Sequence, residues 1–81
     1  MKKAWIDYIV DAMIALDGNA VYEDLYYKIS LIHPGPLSKE WKATVRRTIE
    51  THSSDSDNFR EGYRDLFKSL GGKGSGYWGL R

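Results

Sequence analysis

The sequence has no cysteine, which excludes disulfides, thiolate metal sites and a thiol nucleophile. Proline is scarce, and its two copies, Pro34 and Pro36, fall in one short turn. No long apolar run exists. The longest, from Ala12 to Leu16, falls well below the ~20 residues of a membrane span or the ~7 to 15 of a signal h-region. A cytoplasmic, nucleoid-associated domain with no membrane partner is therefore expected. The chain also lacks an excess of either charge: twelve Lys and Arg stand against eleven Asp and Glu, a net charge of +1. It is no polybasic tail, and any anion-binding surface must come from local clustering. Internal repeats and low-complexity stretches are absent.

What is present suits one small globular domain. Length 81 allows a single domain, taken here to span residues 1–81. The 42% hydrophobic and 14% aromatic content supplies a modest core and excludes wholesale disorder. Domains this short are marginal in stability.

Periodicity divides the chain. Trp5, Ile6, Ile9, Ala12, Met13 and Leu16 recur at helical spacing from Ala4 to Leu16. Asp17-Gly18-Asn19 ends that helix, with Gly18 suited to the left-handed closing position. Ala20 and Val21 form a short extended piece. A second helix is expected over residues 22–32, with Tyr22, Leu25, Ile29 and Ile32 as its seam. Glu23 and Asp24 lie in its first turn, where the helix dipole favours negative charge. His33-Pro-Gly-Pro36 stops it. Ser38 reads as the N-cap of a third helix from Lys39 to about His52.

The last third changes period. Residues 65–70 and 77–81 read as short strands around the glycine-rich spacer 71–76, a hairpin with Phe67 and Trp78 pointing inward. The expected fold is α+β: three helices and a small antiparallel sheet, with Ala20-Val21 as its third strand. That order, ending in a C-terminal hairpin wing, is the arrangement of a winged helix, a helix-turn-helix variant.

Charge follows this layout. Residues 37–54 carry Lys39, Lys42, Arg46 and Arg47 against Glu40 and Glu50, and residues 66–81 carry Lys68, Lys73 and Arg81 with no acid. The two basic segments are the third helix and the hairpin, the elements of a winged helix that meet DNA. A helix about 10–12 Å across fits a major groove about 12 Å wide. On the solvent side of the third helix, Arg46 or Arg47 can donate two parallel hydrogen bonds to guanine O6 and N7. Lys39 and Lys42 suit phosphates, and Ser38 with the first-turn N–H groups offers a further phosphate site. Ala43 permits close approach and contact with a thymine methyl or a C5 substituent on cytosine. In the hairpin loop, Lys73 and Ser75 stand among four glycines that allow main-chain approach to a backbone or minor groove. Taken alone, a basic helix face is more often only a solvated surface.

Other signals are weaker. Gly72-Lys73 lacks the earlier glycine and the following Ser or Thr of a phosphate loop. Asp55-Ser-Asp57-Asn lacks the glycine and glutamate of a calcium loop, having Arg60 and Leu66 there. His33 and His52 stand at two helix ends, and His52 falls on a buried face, where a capping role fits. Ser53, Ser54 and Ser56 suit turn formation. The carboxylates form no acid–base pair. Trp5, Trp41 and Trp78 read as core. No catalytic residue, metal or cofactor is expected.

The run Trp41-Lys-Ala-Thr-Val-Arg-Arg-Thr-Ile49, then Ser53-Ser-Asp-Ser-Asp-Asn-Phe59, then Asp65-Leu-Phe67 and Gly74-Ser-Gly-Tyr-Trp-Gly-Leu-Arg81 resembles winged-helix domains attached to bacterial restriction-type endonucleases, including HNH enzymes. It is more distantly similar to the HARE-type winged helices of chromatin regulators and restriction enzymes. Asp17-Gly-Asn-Ala20 and Glu23-Asp-Leu-Tyr26 fit the start of the pattern. The resemblance implies a double-stranded DNA reader, possessing no nuclease motif of its own, that brings a fused catalytic domain to its target and can distinguish modified from unmodified bases. It also implies that residues 39–50 are the recognition helix and 71–76 the wing. An N-terminal module of a longer protein, monomeric in isolation, is the corresponding expectation. The competing expectation is a protein-interaction or dimerisation domain, for which Tyr8, Tyr26, Tyr27 and Tyr63 would supply exposed aromatic surface.

Overall fold

The computed structural model describes residues 4–72 and 74–81. The first helix, α1, spans Trp5–Ala15. Its opening turn is closed by the Asp7 carboxylate, which accepts the Ala4 N–H at 3.1 Å. It ends in a Schellman arrangement: Gly18 N–H bonds the Met13 carbonyl at 2.8 Å, and Asp17 N–H bonds that of Ile14 at 3.1 Å. Gly18 takes the left-handed conformation expected of it (φ 91°), and Asp17 before it does so too (φ 68°), which the short polar side chain of Asp tolerates.

Strand β1, Asn19–Val21, leads directly into helix α2, Tyr22–Ile32. That helix has no side-chain cap. Instead, its first N–H, from Tyr22, is satisfied by the Gly76 carbonyl of the hairpin loop at 3.2 Å. The buried seam is Leu25, Tyr26 and Ile29. Ile32, expected on that seam, is exposed instead, because it ends the helix beyond its packed turns.

Helix α3 spans Trp41–Thr51, starting later than the expected Lys39. Ser38 is not its N-cap. Glu40 takes that position, without a side-chain cap bond. A turn precedes the helix, and its main chain does the work assigned to the serine hydroxyl: Trp41 N–H donates to the Ser38 carbonyl at 3.2 Å. Within the helix, Thr44, Thr48 and Thr51 each return their hydroxyl to the carbonyl four residues earlier.

Strands β2, Phe67–Ser69, and β3, Tyr77–Leu80, complete the domain. The three strands form one antiparallel sheet in the order β1-β3-β2. Ala20 and Ser69 both pair with Trp78, and Phe67 pairs with Leu80. With strand period two, this register puts Ala20, Phe67 and Trp78 on one face. That face and the three helices enclose the core, in which Ile9, Met13, Leu25, Ile29, Val45, Ile49 and Phe67 are fully buried. The result is a small α+β domain of three helices and a three-stranded antiparallel sheet.

The three tryptophans behave as core and core rim. Trp78 is buried, and Trp5 and Trp41 pack partly buried against the core cluster. Trp5 stacks on Trp41 with centroids 6.5 Å apart, and on His33 at 5.1 Å. No helix among the described residues is long and apolar enough to cross a membrane.

Candidate nucleic-acid interface

The buried and solvent sides of α3 separate as the helical period requires. Val45 and Ile49 enter the core. Lys42, Arg46 and Arg47 are exposed, and Ala43 and Glu50 are half-buried. The solvent side then divides into two flanks.

The flank toward α2 is aromatic. The Lys42 ammonium lies 5.3 Å from the centroid of Tyr26 and 5.8 Å from that of Trp41, a cation–π placement that lays its stem along the rings. Tyr22 and Tyr26 stack at 5.9 Å. The Tyr22 hydroxyl accepts the Trp78 Nε1–H at 2.9 Å, joining α2 to the sheet. Burial raises the pKa of both phenols, while the charge of Arg46 works to lower both. Both therefore stay protonated near neutral pH, and Arg46 lies beside them.

The other flank faces the segment that joins α3 to β2. There an open groove of about 850 Å³ has Ala43, Arg46, Arg47 and Glu50 on one side, and Asn58, Arg60 and Tyr63 on the other. The segment is held against the end of α3. Arg60 N–H donates to the Thr51 carbonyl at 3.3 Å. Tyr63 stacks on His52 at 5.1 Å, and His52 Nδ1 lies 2.8 Å from the Thr48 carbonyl. That contact requires the proton on Nδ1. His52 is thus a bonded residue at a helix end, as its position on the wheel implied.

Ser53 is fully buried. Its hydroxyl donates to the Phe67 carbonyl at 2.8 Å and accepts the Asp55 N–H at 3.2 Å, which locks the end of α3 to β2. Beside it, Ser54 bonds Asp65 through both its N–H and its hydroxyl. Arg81 reaches the same carboxylate at 2.9 Å and Asp55 at 3.0 Å. The two bonds from Ser54, followed by Arg81, hold the Asp65 carboxyl below its ordinary pKa.

This clasp corrects the expected charge of the hairpin. Arg81 neutralises two carboxylates and adds nothing to a cationic surface. Lys68 is exposed, whereas Lys73 lies outside the described residues. A cleft lined by Glu50, Asp55, Asp57, Asn58, Ser69 and Gly74 also stands between the end of α3 and the hairpin. Carboxylates therefore share the space between these two elements.

The remaining predicted residues divide. Ala43, Arg46 and Arg47 share the groove. Lys42 stands on the aromatic flank. Ser38 and Lys39 lie exposed in the turn before α3. Ser75 is occupied within its own loop, where its hydroxyl accepts Tyr77 N–H at 3.3 Å and its N–H bonds the Gly72 carbonyl at 3.2 Å. Arg60 and Asn58 were missed, and Tyr63 was read only as exposed aromatic surface. Residues 55–65 have a negative charge balance that conceals Arg60, and no periodicity shows that this stretch folds back on α3. Among the described residues, no group of three His, Asp or Glu side chains is arranged to hold a metal ion.

Comparison with protein-family models, with curated proteins and with solved structures finds no match.

Proposed function

We propose that this domain is a double-stranded DNA reader of winged-helix type. Helix α3 enters the major groove, and the 71–76 loop lies along backbone or minor groove. The observation that carries the reading is the solvent face of α3, where Arg46 and Arg47 line one open groove with the small Ala43 between them and the helix start. Lys42, Arg46 and Arg47 are exposed on that face. Arg46 and Arg47 read guanine edges, and Lys39 and Lys42 neutralise phosphates. Ala43 meets a thymine methyl or a C5 substituent on cytosine, which makes the domain sensitive to base modification. The reader carries out no catalysis and directs a fused nuclease to its site.

A duplex mobility-shift series tests this. Arg46→Ala or Arg47→Ala should weaken binding by about 1–3 kcal/mol and relax preference at one base pair. Wild-type affinity should fall steeply with salt, as neutralised phosphates release counterions. Equal binding by wild type and both variants would remove the assignment.

A second reading, a protein-interaction or dimerisation domain, has its own observation. Tyr27 and Leu31, four residues apart on α2, are 68% and 60% exposed. They form an apolar stripe on one helix face. A mass that rises with concentration, together with no duplex affinity at low salt, would favour this reading.

A further inference from the structure

We propose that the groove between α3 and the 58–63 segment binds phosphodiester: one sugar–phosphate strand lies in it, against Arg60 on the outer wall. The inference rests on the DNA reading above and adds a contact element that neither the third helix nor the hairpin supplies.

Geometry comes first. A helix lying in the major groove has a sugar–phosphate strand on each side of it. A segment standing beside that helix, across an open groove of about 850 Å³, must then lie outside one of those strands. The strand passes between the two walls. Fixation of the outer wall supports this. It is tied to the last turn of α3 by the Arg60 N–H to Thr51 carbonyl bond and by the Tyr63–His52 stack. A wall held in place before binding loses little conformational entropy on binding.

Charge agrees. Three arginines, Arg46, Arg47 and Arg60, line the groove against one carboxylate residue, Glu50. Among the described residues no ion pair engages Arg47 or Arg60, in contrast to Arg81, which is held by Asp55 and Asp65. Guanidinium is the group best matched to phosphate oxygens, through two parallel N–H bonds. Asn58, on the same wall, supplies an amide donor to the sugar–phosphate chain.

The test is a fluorescence-anisotropy titration of a labelled duplex at several salt concentrations, with wild type, Arg60→Gln and Arg64→Gln. Arg64 is exposed and borders a different depression, against α1, so it serves as the control. Arg60→Gln should weaken binding about three- to tenfold at low salt and reduce the slope of log K against log salt by about 1. Its base preference should stay that of wild type, and Arg64→Gln should match wild type throughout. Single methylphosphonate replacements along the duplex should identify a position that weakens wild type and leaves Arg60→Gln unaffected. If wild type binds and Arg60→Gln behaves as Arg64→Gln, the groove assignment is wrong and the DNA reading stands. If wild type fails to bind duplex at low salt, both fall.

Discussion

Ser53→Ala probes the joint on which the interface depends. The hydroxyl is fully buried and makes two bonds, donating to the Phe67 carbonyl at 2.8 Å and accepting the Asp55 N–H at 3.2 Å. Alanine removes both. Losing a buried hydrogen bond while its partner stays buried costs about 1–3 kcal/mol. A domain of this length has a total stability of only about 4–12 kcal/mol at roughly 0.05–0.15 kcal/mol per residue. The loss is thus a sizeable fraction, and Tm should fall by about 4–8 °C for each kcal/mol. Urea denaturation followed by tryptophan fluorescence measures it, with an unchanged m-value showing that the native and unfolded states keep their surfaces. Ser56→Ala is the control, since among the described residues that hydroxyl accepts only the Asn58 N–H, in an exposed turn. A Ser53→Ala loss below about 0.5 kcal/mol, the scatter of ordinary surface substitutions, would refute the claim that this hydroxyl ties α3 to β2.

Two further outcomes follow from the joints around the sheet. Gly76 has φ 73°, and a Cβ there would stand 3.1 Å from the Tyr22 ring. Gly76→Ala should therefore destabilise by about 1–2 kcal/mol from the left-handed backbone alone, read as a lower urea midpoint, and a midpoint equal to wild type would contradict both the left-handed conformation and the close approach. Asp65 has a lowered pKa through Ser54 and then Arg81, so the fold favours its ionised form. Its stabilisation is complete above the ordinary value of 3.8 and is lost as pH falls through the lowered folded value. Between about pH 5 and pH 2, wild type should lose more stability than Asp65→Asn, and parallel urea midpoints would show that the clasp contributes nothing.

The sequence was most readable where structure is local. The Ile9–Met13 and Leu25–Ile29 seams follow helical spacing, and α2 has the bounds that its pattern implied, Tyr22–Ile32. Phe67 and Trp78 point inward as strand alternation requires. The start of α3 was misjudged because Ser38 has the chemistry of a cap, yet a main-chain turn took its place. What depended on distant pairing was hidden. The three joined by Arg81 lie sixteen to twenty-seven positions away in the chain, and a segment charge count treats that arginine as free. The groove wall of Arg60 and Tyr63 was equally hidden, because its position comes from a stack on His52 and a bond to Thr51, neither of which leaves a periodic trace.

Selection from a randomised duplex pool, made once with plain and once with C5-modified cytosine, tests the DNA reading most directly. Wild type should enrich a defined set of sequences in at least one pool, and Arg46→Ala and Arg47→Ala should each lose preference at a base pair of that set. A wild-type selection no different from the starting pool in both preparations, or one unchanged by either arginine substitution, would contradict the assignment of the α3 solvent face as the reading surface.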